Sequence, residues 1–160
     1  MLFRSPYQTV GPYLALGLRV GVQSPDAPAD PQAITITGRL IDGAGEGITD
    51  GILEWWHPSF SEIHRSPSGA DGRFVVQLRK PPAEGAGAPH VLVRVLGRGV
   101  LTQYVTRVYF AGDAGHEADP VLQRVPAARR QTIVAQQTAP NAYHFDVVLQ
   151  GENETVFFDV

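Results

Sequence analysis

The 160-residue chain contains no cysteine. Disulfide bonds, thiolate metal ligands and cysteine nucleophiles are therefore excluded, although this absence does not fix a cellular compartment. Positive charge is also limited, because 13 Lys and Arg residues stand against 16 Asp and Glu, for a formal net charge of -3. The basic residues form no cluster, so the sequence indicates no surface for nucleic acids or anionic membranes.

The sequence also lacks an apolar run long enough to span a membrane. The most apolar segment near its start, "LALGLRVGV" at residues 14–22, follows Pro6 and Pro12 and contains Arg19. It has no small-residue cleavage site of the kind that ends a signal peptide. We interpret the segment as part of the mature chain and expect a cytoplasmic protein.

Glycine and proline are plentiful, with 17 and 13 residues, and they separate short apolar runs. This pattern predicts an all-β protein, with residues 33–160 forming a two-sheet β-sandwich. A chain of this length can bury roughly 70% of its unfolded surface, enough for one domain with a proper core. The predicted strands cover residues 33–41, 51–57, 72–78, 90–96, 102–110, 132–138, 142–150 and 155–160.

One short helical segment is predicted, at residues 119–131 with the sequence "DPVLQRVPAARRQ". Pro120 and Pro126 stand at positions that suit the first turn of a helix, where proline is tolerated. The segment that follows, "TIVAQQT", is β-branched and favours a strand.

Residues 1–32 are predicted to form an extended N-terminal arm, because they hold five prolines and show little alternation. The arm carries apolar side chains, among them Tyr7, Tyr13 and Leu14. Apolar surface of this extent needs to be buried, so we expect the arm to lie across a partner or across the chain's own sandwich.

Histidine is the first candidate for metal chemistry. His57, His64 and His90 could in principle form a three-histidine zinc site, but their spacing matches no compact ligand motif. His116 lies in a polar loop and His144 alternates with a carboxylate on a predicted strand. Structural or surface roles are therefore the favoured interpretation of each histidine.

Other candidate chemistry is weaker. "GAGEG" at residues 43–47 lacks a following helix to bind a phosphate, which favours a hairpin loop. The chain has no G-x-S-x-G motif. Glu54 and Asp71 could form a carboxylate pair, but Glu54 is better interpreted as capping a strand face or as the partner of an arginine.

Arg107 is more informative, because it lies inside the apolar and aromatic run "YVTRVYF". A guanidinium in such a setting needs a carboxylate partner. That partner is either an Asp or Glu in an internal or interface ion pair, or an anionic ligand received in a cleft. The residues alone leave both open.

Several motifs together resemble one family. They are "QTVGPY" at 8–13, "TRVYF" at 106–110 and "YHFDVVLQG" at 143–151 followed by "ETVFFD" at 154–159. In this combination and order the chain resembles, over nearly its whole length, the intradiol ring-cleavage dioxygenases and, among them, the α subunits of the protocatechuate 3,4-dioxygenases. The resemblance implies a β-sandwich core and an α/β protomer that assembles into a higher oligomer, with a protocatechuate 3,4-dioxygenase β subunit as partner.

The resemblance also implies a ferric ion held in the β subunit by two tyrosines and two histidines. The histidines form a His-x-His pattern on the strand that corresponds to His90 and Leu92, and only the first is present. The tyrosines would fall within residues 57–71 and 79–89, which contain none. One imidazole cannot hold a ferric ion that needs phenolates, so we expect no metal and no catalytic residue in this chain. His90 is then a vestigial metal-site position, where Leu92 fills the space with apolar volume.

The α subunit of this family helps to line the substrate pocket of the β subunit, so the resemblance implies substrate-binding roles here. Gly11, Pro12 and Tyr13 match the residues of the arm, and Arg107 matches the arginine. The implied reaction uses Fe(III) in the partner and O2 to open protocatechuate to 3-carboxy-cis,cis-muconate, in the β-ketoadipate pathway of aromatic catabolism.

Two alternatives remain at this point. The chain could be a non-catalytic β-sandwich binding or scaffold protein of the same fold that forms homo-oligomers. It could also be a self-sufficient metal enzyme using His57, His64 and His90. The chain is shorter than typical α subunits, with the missing length in the middle loops, so the substrate range is open.

Overall fold

The computed structural model describes residues 33–97, 99–101 and 104–159. Within these residues the chain forms nine strands and three short 3₁₀ segments. The strands are β1 (Ala33–Ile41), β2 (Ile52–Trp56), β3 (His64–Pro67), β4 (Arg73–Arg79), β5 (His90–Leu96), β6 (Tyr104–Phe110), β7 (Val134–Ala139), β8 (Ala142–His144) and β9 (Val147–Val148). The 3₁₀ segments are Ala70–Gly72, Leu122–Arg124 and Ala127–Ile133.

The strands form two halves. The first half has the order β3-β2-β5-β6 and is antiparallel throughout, and the second has the order β7-β8-β1-β4, with β9 beside the end of β1. Among the described residues, the strand ladder that joins them is a short parallel pairing between β6 and β7, at Tyr109 with Val134 and Phe110 with Ala135. The halves fold over each other, so the predicted β-sandwich is confirmed.

Alternation along the strands creates the core between the halves. On β4 the buried side chains are Phe74, Val76 and Leu78, and β5 buries every second residue in the same way. The two sheets meet where the Trp55 ring packs 5.6 Å from the Phe74 ring. Because successive side chains of a strand point to opposite faces, the other residues of β5, among them His90, Leu92 and Arg94, point away from the core.

The face of the β3-β2-β5-β6 sheet that points away from the core is called the outer face here. Its side chains follow from the register, because residues directly opposite each other point to the same side. His90 pairs with Tyr109 and Leu92 pairs with Arg107 between β5 and β6. Glu54 on β2 lies opposite Arg94. The outer face therefore brings together charged and aromatic residues from three strands.

Strand β1 occupies the middle of the second half. It pairs with β4 on one side and, in parallel, with β8 on the other, where Thr35 lies opposite Ala142. Gly38 permits this close packing, because a Cβ there would lie 1.8 Å from the carbonyl oxygen of Phe145. The first described strand is thus held by residues near the end of the chain.

Not every predicted element appears as expected. β3 was not predicted, and among residues 155–159 the only ladder contact is the isolated bridge between Val105 and Phe158. The single helical segment predicted at 119–131 is instead two 3₁₀ segments, separated at Val125 and Pro126, where the backbone is not helical. Proline at this point lacks the N–H that would continue a helix, so the segment is interrupted.

The interpretation of residues 43–47 as a hairpin loop is confirmed. An antiparallel bridge joins Ile41 to Gly47, and the Asp42 carboxylate accepts backbone N–H bonds from Ala44 and Glu46. Strands β1 and β2 themselves do not pair, because the chain crosses to the other sheet after this loop.

The predicted N-terminal arm, residues 1–32, lies outside the described residues. The division into that arm and the domain at 33–160 therefore stays a prediction. Among the residues that are described, no helix is long and apolar enough to cross a membrane.

Candidate functional site

His90 marks the start of the candidate site, at the beginning of β5. Its Nδ1 donates a hydrogen bond to the carbonyl oxygen of Ala88, 3.0 Å away. Its ring packs between those of His57 and Tyr109, with centroid distances of 5.3 and 5.4 Å. Two imidazoles and a phenol thus converge at one end of the outer face.

His57 is almost completely buried, with a side chain only 1% exposed. Its Nδ1 lies 2.6 Å from the Ser59 hydroxyl, and its Nε2 has no partner among the described residues. Burial lowers the pKa of His57, and the nearby Arg107 lowers it further against the opposing effect of Glu84. The neutral imidazole is therefore the favoured form.

The pKa of His90 is lowered for similar reasons. Burial is the largest cause, and Arg107 and His57 add to it, while the hydrogen bond to Ala88 and the charge of Asp119 oppose it. A cation beside each ring makes a second positive charge costly. Both histidines of this cluster are thus held neutral at physiological pH.

Tyr109 is fixed by a buried carboxylate. Its hydroxyl donates to Oδ1 of Asp119 at 3.1 Å, and Asp119 also accepts backbone N–H bonds from Ala88, Val121 and Leu122 at 2.8 to 2.9 Å. Burial raises the pKa of Tyr109 to about 12, although Arg107 opposes the shift. Tyr109 is therefore a protonated hydrogen-bond donor, and Asp119 ties its loop to the start of β5.

These residues do not suit a ferric ion. Leu92 occupies the next outer-face position of β5 after His90, opposite Arg107, and the Tyr109 phenol is protonated and bound to Asp119. Across residues 33–97, 99–101 and 104–159, no group of three His, Cys, Asp or Glu residues is placed to hold a metal ion. The trio of His57, His64 and His90 is likewise not assembled, because His64 lies opposite the core residue Trp55.

Arg107 lies on the outer face opposite Leu92 and is half-buried. Its positive charge acts to lower the pKa values of His57, His90 and Tyr109. In the part of the chain that the structure describes, no Asp or Glu forms an ion pair with it. The carboxylate partner expected from the sequence is thus not among the described residues.

A second charged cluster occupies the same face. Glu54, only 2% exposed, accepts from Arg65 Nε at 2.8 Å and from Arg94 Nε at 2.9 Å. Burial raises the pKa of Glu54, but the hydrogen bonds from Arg94 and Arg65 outweigh it and the net pKa is lowered. The interpretation of Glu54 as an arginine partner is confirmed, whereas Asp71 lies in the 3₁₀ segment Ala70–Gly72 with a φ of 57°.

Of the predicted pocket residues, Arg107 is placed on the outer face, while Gly11, Pro12 and Tyr13 lie outside the described residues. Sequence reasoning missed Tyr109 and Asp119. Tyr109 could have been found, because it is two residues from Arg107 on a strand and so shares its face. Asp119 gave only the weaker signal of an acidic residue at the first position of a predicted helical segment.

The amino-acid sequence is similar to those of two protocatechuate 3,4-dioxygenase alpha chains. The chain is 40% identical to the protocatechuate 3,4-dioxygenase alpha chain of Burkholderia cepacia, over 99% of this chain and 98% of that protein. It is 31% identical to the alpha chain of Pseudomonas putida, again over 99% of this chain and 98% of the relative. The chain belongs to the protocatechuate 3,4-dioxygenase α-chain family. It is therefore an α-type subunit of a multisubunit intradiol dioxygenase, an oxidoreductase.

The β chain of the same enzyme is a more distant relative. The Burkholderia cepacia protocatechuate 3,4-dioxygenase beta chain is 26% identical over 78% of this chain and 67% of that protein. The names of these relatives imply a hetero-oligomer of α and β subunits. The alignment with the first α chain runs over 194 positions, more than the 160 residues available here, so the relative carries segments that this chain lacks.

Solved structures agree on the fold. The dioxygenase domain of a dioxygenase carbohydrate-binding protein fusion from Streptomyces sp. SirexAA-E matches with a TM-score of 0.61 and 20% identity, over 91% of this chain and 97% of that one. An intradiol ring-cleavage dioxygenase from Tetranychus urticae matches with a TM-score of 0.61 and 10% identity, over 76% of this chain and 82% of that one. No family model matches the chain.

Proposed function

We propose that this α-type chain contributes Arg107 and its N-terminal segment to a substrate pocket whose ferric ion belongs to a β subunit. The β subunit, and not this chain, holds the iron in this proposal. Support comes from the surroundings of His90, where a leucine and a protonated phenol occupy the positions beside it. This chain then provides binding, charge and assembly, while the partner's metal supplies activation of the catechol toward O2.

The observation that carries the proposal is the state of Arg107. It is half-buried, beside two neutral histidines, and no described Asp or Glu forms an ion pair with it. A partly desolvated guanidinium without a counter-charge is costly, and it gains strongly from a bidentate carboxylate. An anion from outside the described part of the chain would satisfy it.

The substrate proposed is protocatechuate, an aromatic ring that carries both a catechol and a carboxylate. Arg107 would bind the carboxylate and so orient the catechol oxygens toward the partner's iron. Gly11, Pro12 and Tyr13 would line the pocket as a flat wall against the ring, in keeping with largely apolar pockets that carry few polar groups. Ring opening between the two hydroxylated carbons would give 3-carboxy-cis,cis-muconate.

Assembly and iron content test the first part of the proposal. The chain should be purified alone and after co-expression with a protocatechuate 3,4-dioxygenase β chain, such as that of Burkholderia cepacia or one from the same genome. We expect a colourless, iron-free chain alone and a coloured, iron-containing, active complex with a matched β chain. Stoichiometric iron and a tyrosinate absorption band in the isolated chain would overturn the proposal.

Arg107→Ala in the α/β complex tests the second part. We expect KM for protocatechuate to rise about tenfold or more, because a charge-assisted hydrogen bond is lost, with little change for unsubstituted catechol. Arg73→Ala, an exposed arginine on β4, is the matched control and should leave both values unchanged. If Arg107→Ala prevents assembly instead, the arginine is an interface residue and the pocket assignment is wrong.

A further inference from the structure

The structure contains a cavity away from Arg107, at the end of β6. It has a volume of about 300 Å³, the lower limit of typical small-molecule sites. Its walls come from the turn after β6, both 3₁₀ segments of residues 122–133 and strand β7. The ring of His116 lies on one side, edge-on to the Tyr109 ring at 5.9 Å. The cavity is thus built by ordered elements of the fold.

Arg130 is the cation of this cavity. Its Nε donates to the carbonyl oxygen of Val125 at 3.0 Å, and its Nη2 donates to that of Gln123 at 3.3 Å. These bonds fix the plane of the guanidinium. Among the residues that the structure describes, Arg130 has no carboxylate partner. An arginine that is fixed in place and has no counter-charge is preorganised to bind an anion, to which its remaining N–H groups can donate.

The rest of the lining narrows the class of ligand. The carboxamides of Gln123, Gln131 and Gln136 border the cavity, and each can donate or accept a hydrogen bond. Leu122 and Val134 give it an apolar surface. The lining therefore has a cationic, a hydrogen-bonding and an apolar part. A ligand with one anionic group, hydrogen-bonding substituents and an apolar body would match all three parts.

Glu117 also lines the cavity, and its side chain is exposed. A carboxylate at the rim opposes a second negative charge on the ligand, so a monoanion is favoured over a dianion or a phosphate. We propose that this cavity is a binding site for a small monocarboxylate with an apolar, hydroxylated body. The proposal does not depend on the shared pocket at Arg107.

Binding can be measured on the isolated ¹⁵N-labelled full chain, with 4-hydroxybenzoate as the probe. We expect saturable shifts in the amide signals of Gln131, Gln136 and the backbone around Ala111. The neutral analogue 4-hydroxybenzyl alcohol should bind at least tenfold more weakly, because it cannot pair with the guanidinium. No saturable shift at these residues, or equal binding of the alcohol, would overturn the proposal.

Variants locate the site. Arg130→Gln should weaken binding of 4-hydroxybenzoate about tenfold or more, whereas Arg124→Gln, an exposed arginine outside the lining, should leave it unchanged. Gln131→Glu adds a negative charge at an exposed position and should also weaken binding, which keeps the test decisive if Arg130→Gln loosens the local fold. Arg107→Gln should have no effect on these shifts. If Arg107→Gln abolishes binding and Arg130→Gln does not, the probe occupies the outer face and the cavity proposal is wrong.

Discussion

Arg94 and Arg107 lie on the same outer face, on neighbouring strands, and yet they are in opposite electrostatic situations. Arg94 shares the buried Glu54 with Arg65, so its charge is compensated inside the chain. Arg107 has neutral histidines and a protonated tyrosine around it and, among the described residues, no carboxylate partner. The comparison separates an arginine that is part of an internal ion-pair cluster from one that has no carboxylate partner among the described residues.

Removing the carboxylate of the first cluster should have the largest effect. Glu54→Ala leaves two guanidinium groups without their shared partner, which we expect to lower the free energy of unfolding by about 3 kcal/mol. Arg107→Ala removes no internal ion pair, so we expect a loss below about 1 kcal/mol. Urea unfolding of both variants measures the contrast. Equal losses would mean that Arg107 is also a structural residue.

Tyr109→Phe tests how the histidine end of the face is held. The variant removes the hydroxyl that donates to Asp119 and leaves the three backbone N–H bonds to that carboxylate in place. We expect the free energy of unfolding to fall by about 1 kcal/mol, the value of one buried hydrogen bond. Asp119→Asn, which neutralises the carboxylate itself, should lower the free energy of unfolding more than Tyr109→Phe does. The reverse order would contradict this account.

The two regions should also respond to different ranges of pH. The pKa values of His57 and His90 are lowered from 6.5 in the folded chain, so the unfolded chain takes up protons first and stability declines as pH falls below about 6.5. The pKa of Glu54 is lowered from 4.5, so its contribution is lost only below about pH 4.5. The variant Glu54→Ala should keep the first decline and lose less stability below about pH 4.5 than the parent chain does. A smaller acid decline should remain, because burial raises the pKa of Asp119 but the hydrogen bonds to its carboxylate outweigh this and lower it.

Leu92→His should have the smallest effect. It places a second histidine two residues after His90, but the Tyr109 phenol remains protonated and bound to Asp119. We expect no bound iron and a change in unfolding free energy below about 1 kcal/mol, since Leu92 is only half-buried. Iron analysis and a visible spectrum check this. Bound iron with a tyrosinate absorption band would contradict this expectation.

The elements with regular alternation could be predicted from the sequence alone. Predicted strands 33–41 and 90–96 coincide with β1 and β5, because every second residue on them packs into the core. Strand β3, "HRSP", has no apolar alternation and is defined by its ladder with β2, so no local signal identifies it. Tertiary pairing decided its structure.

The candidate site was only partly predictable, for the same reason. His90, Leu92 and Arg107 could be singled out, because each breaks or completes a pattern within one strand. The convergence of His57, Tyr109 and Asp119 could not, because each comes from a different segment and only the fold brings them together. In the sequence Asp119 is only the first residue of a predicted helical segment, whereas in the fold its carboxylate anchors the segment that follows it.

The position of β1 between β4 and β8 has a consequence for how the protein is made. On the ribosome, β1 can pair with β4 early, but its other edge must wait for residues 142–148, near the end of the chain. Until then an unpaired strand edge is exposed, and such edges invite pairing with other chains. Pairings that distant also slow folding. Nascent chains stalled before β8 should therefore be the species most prone to aggregate and most dependent on chaperones.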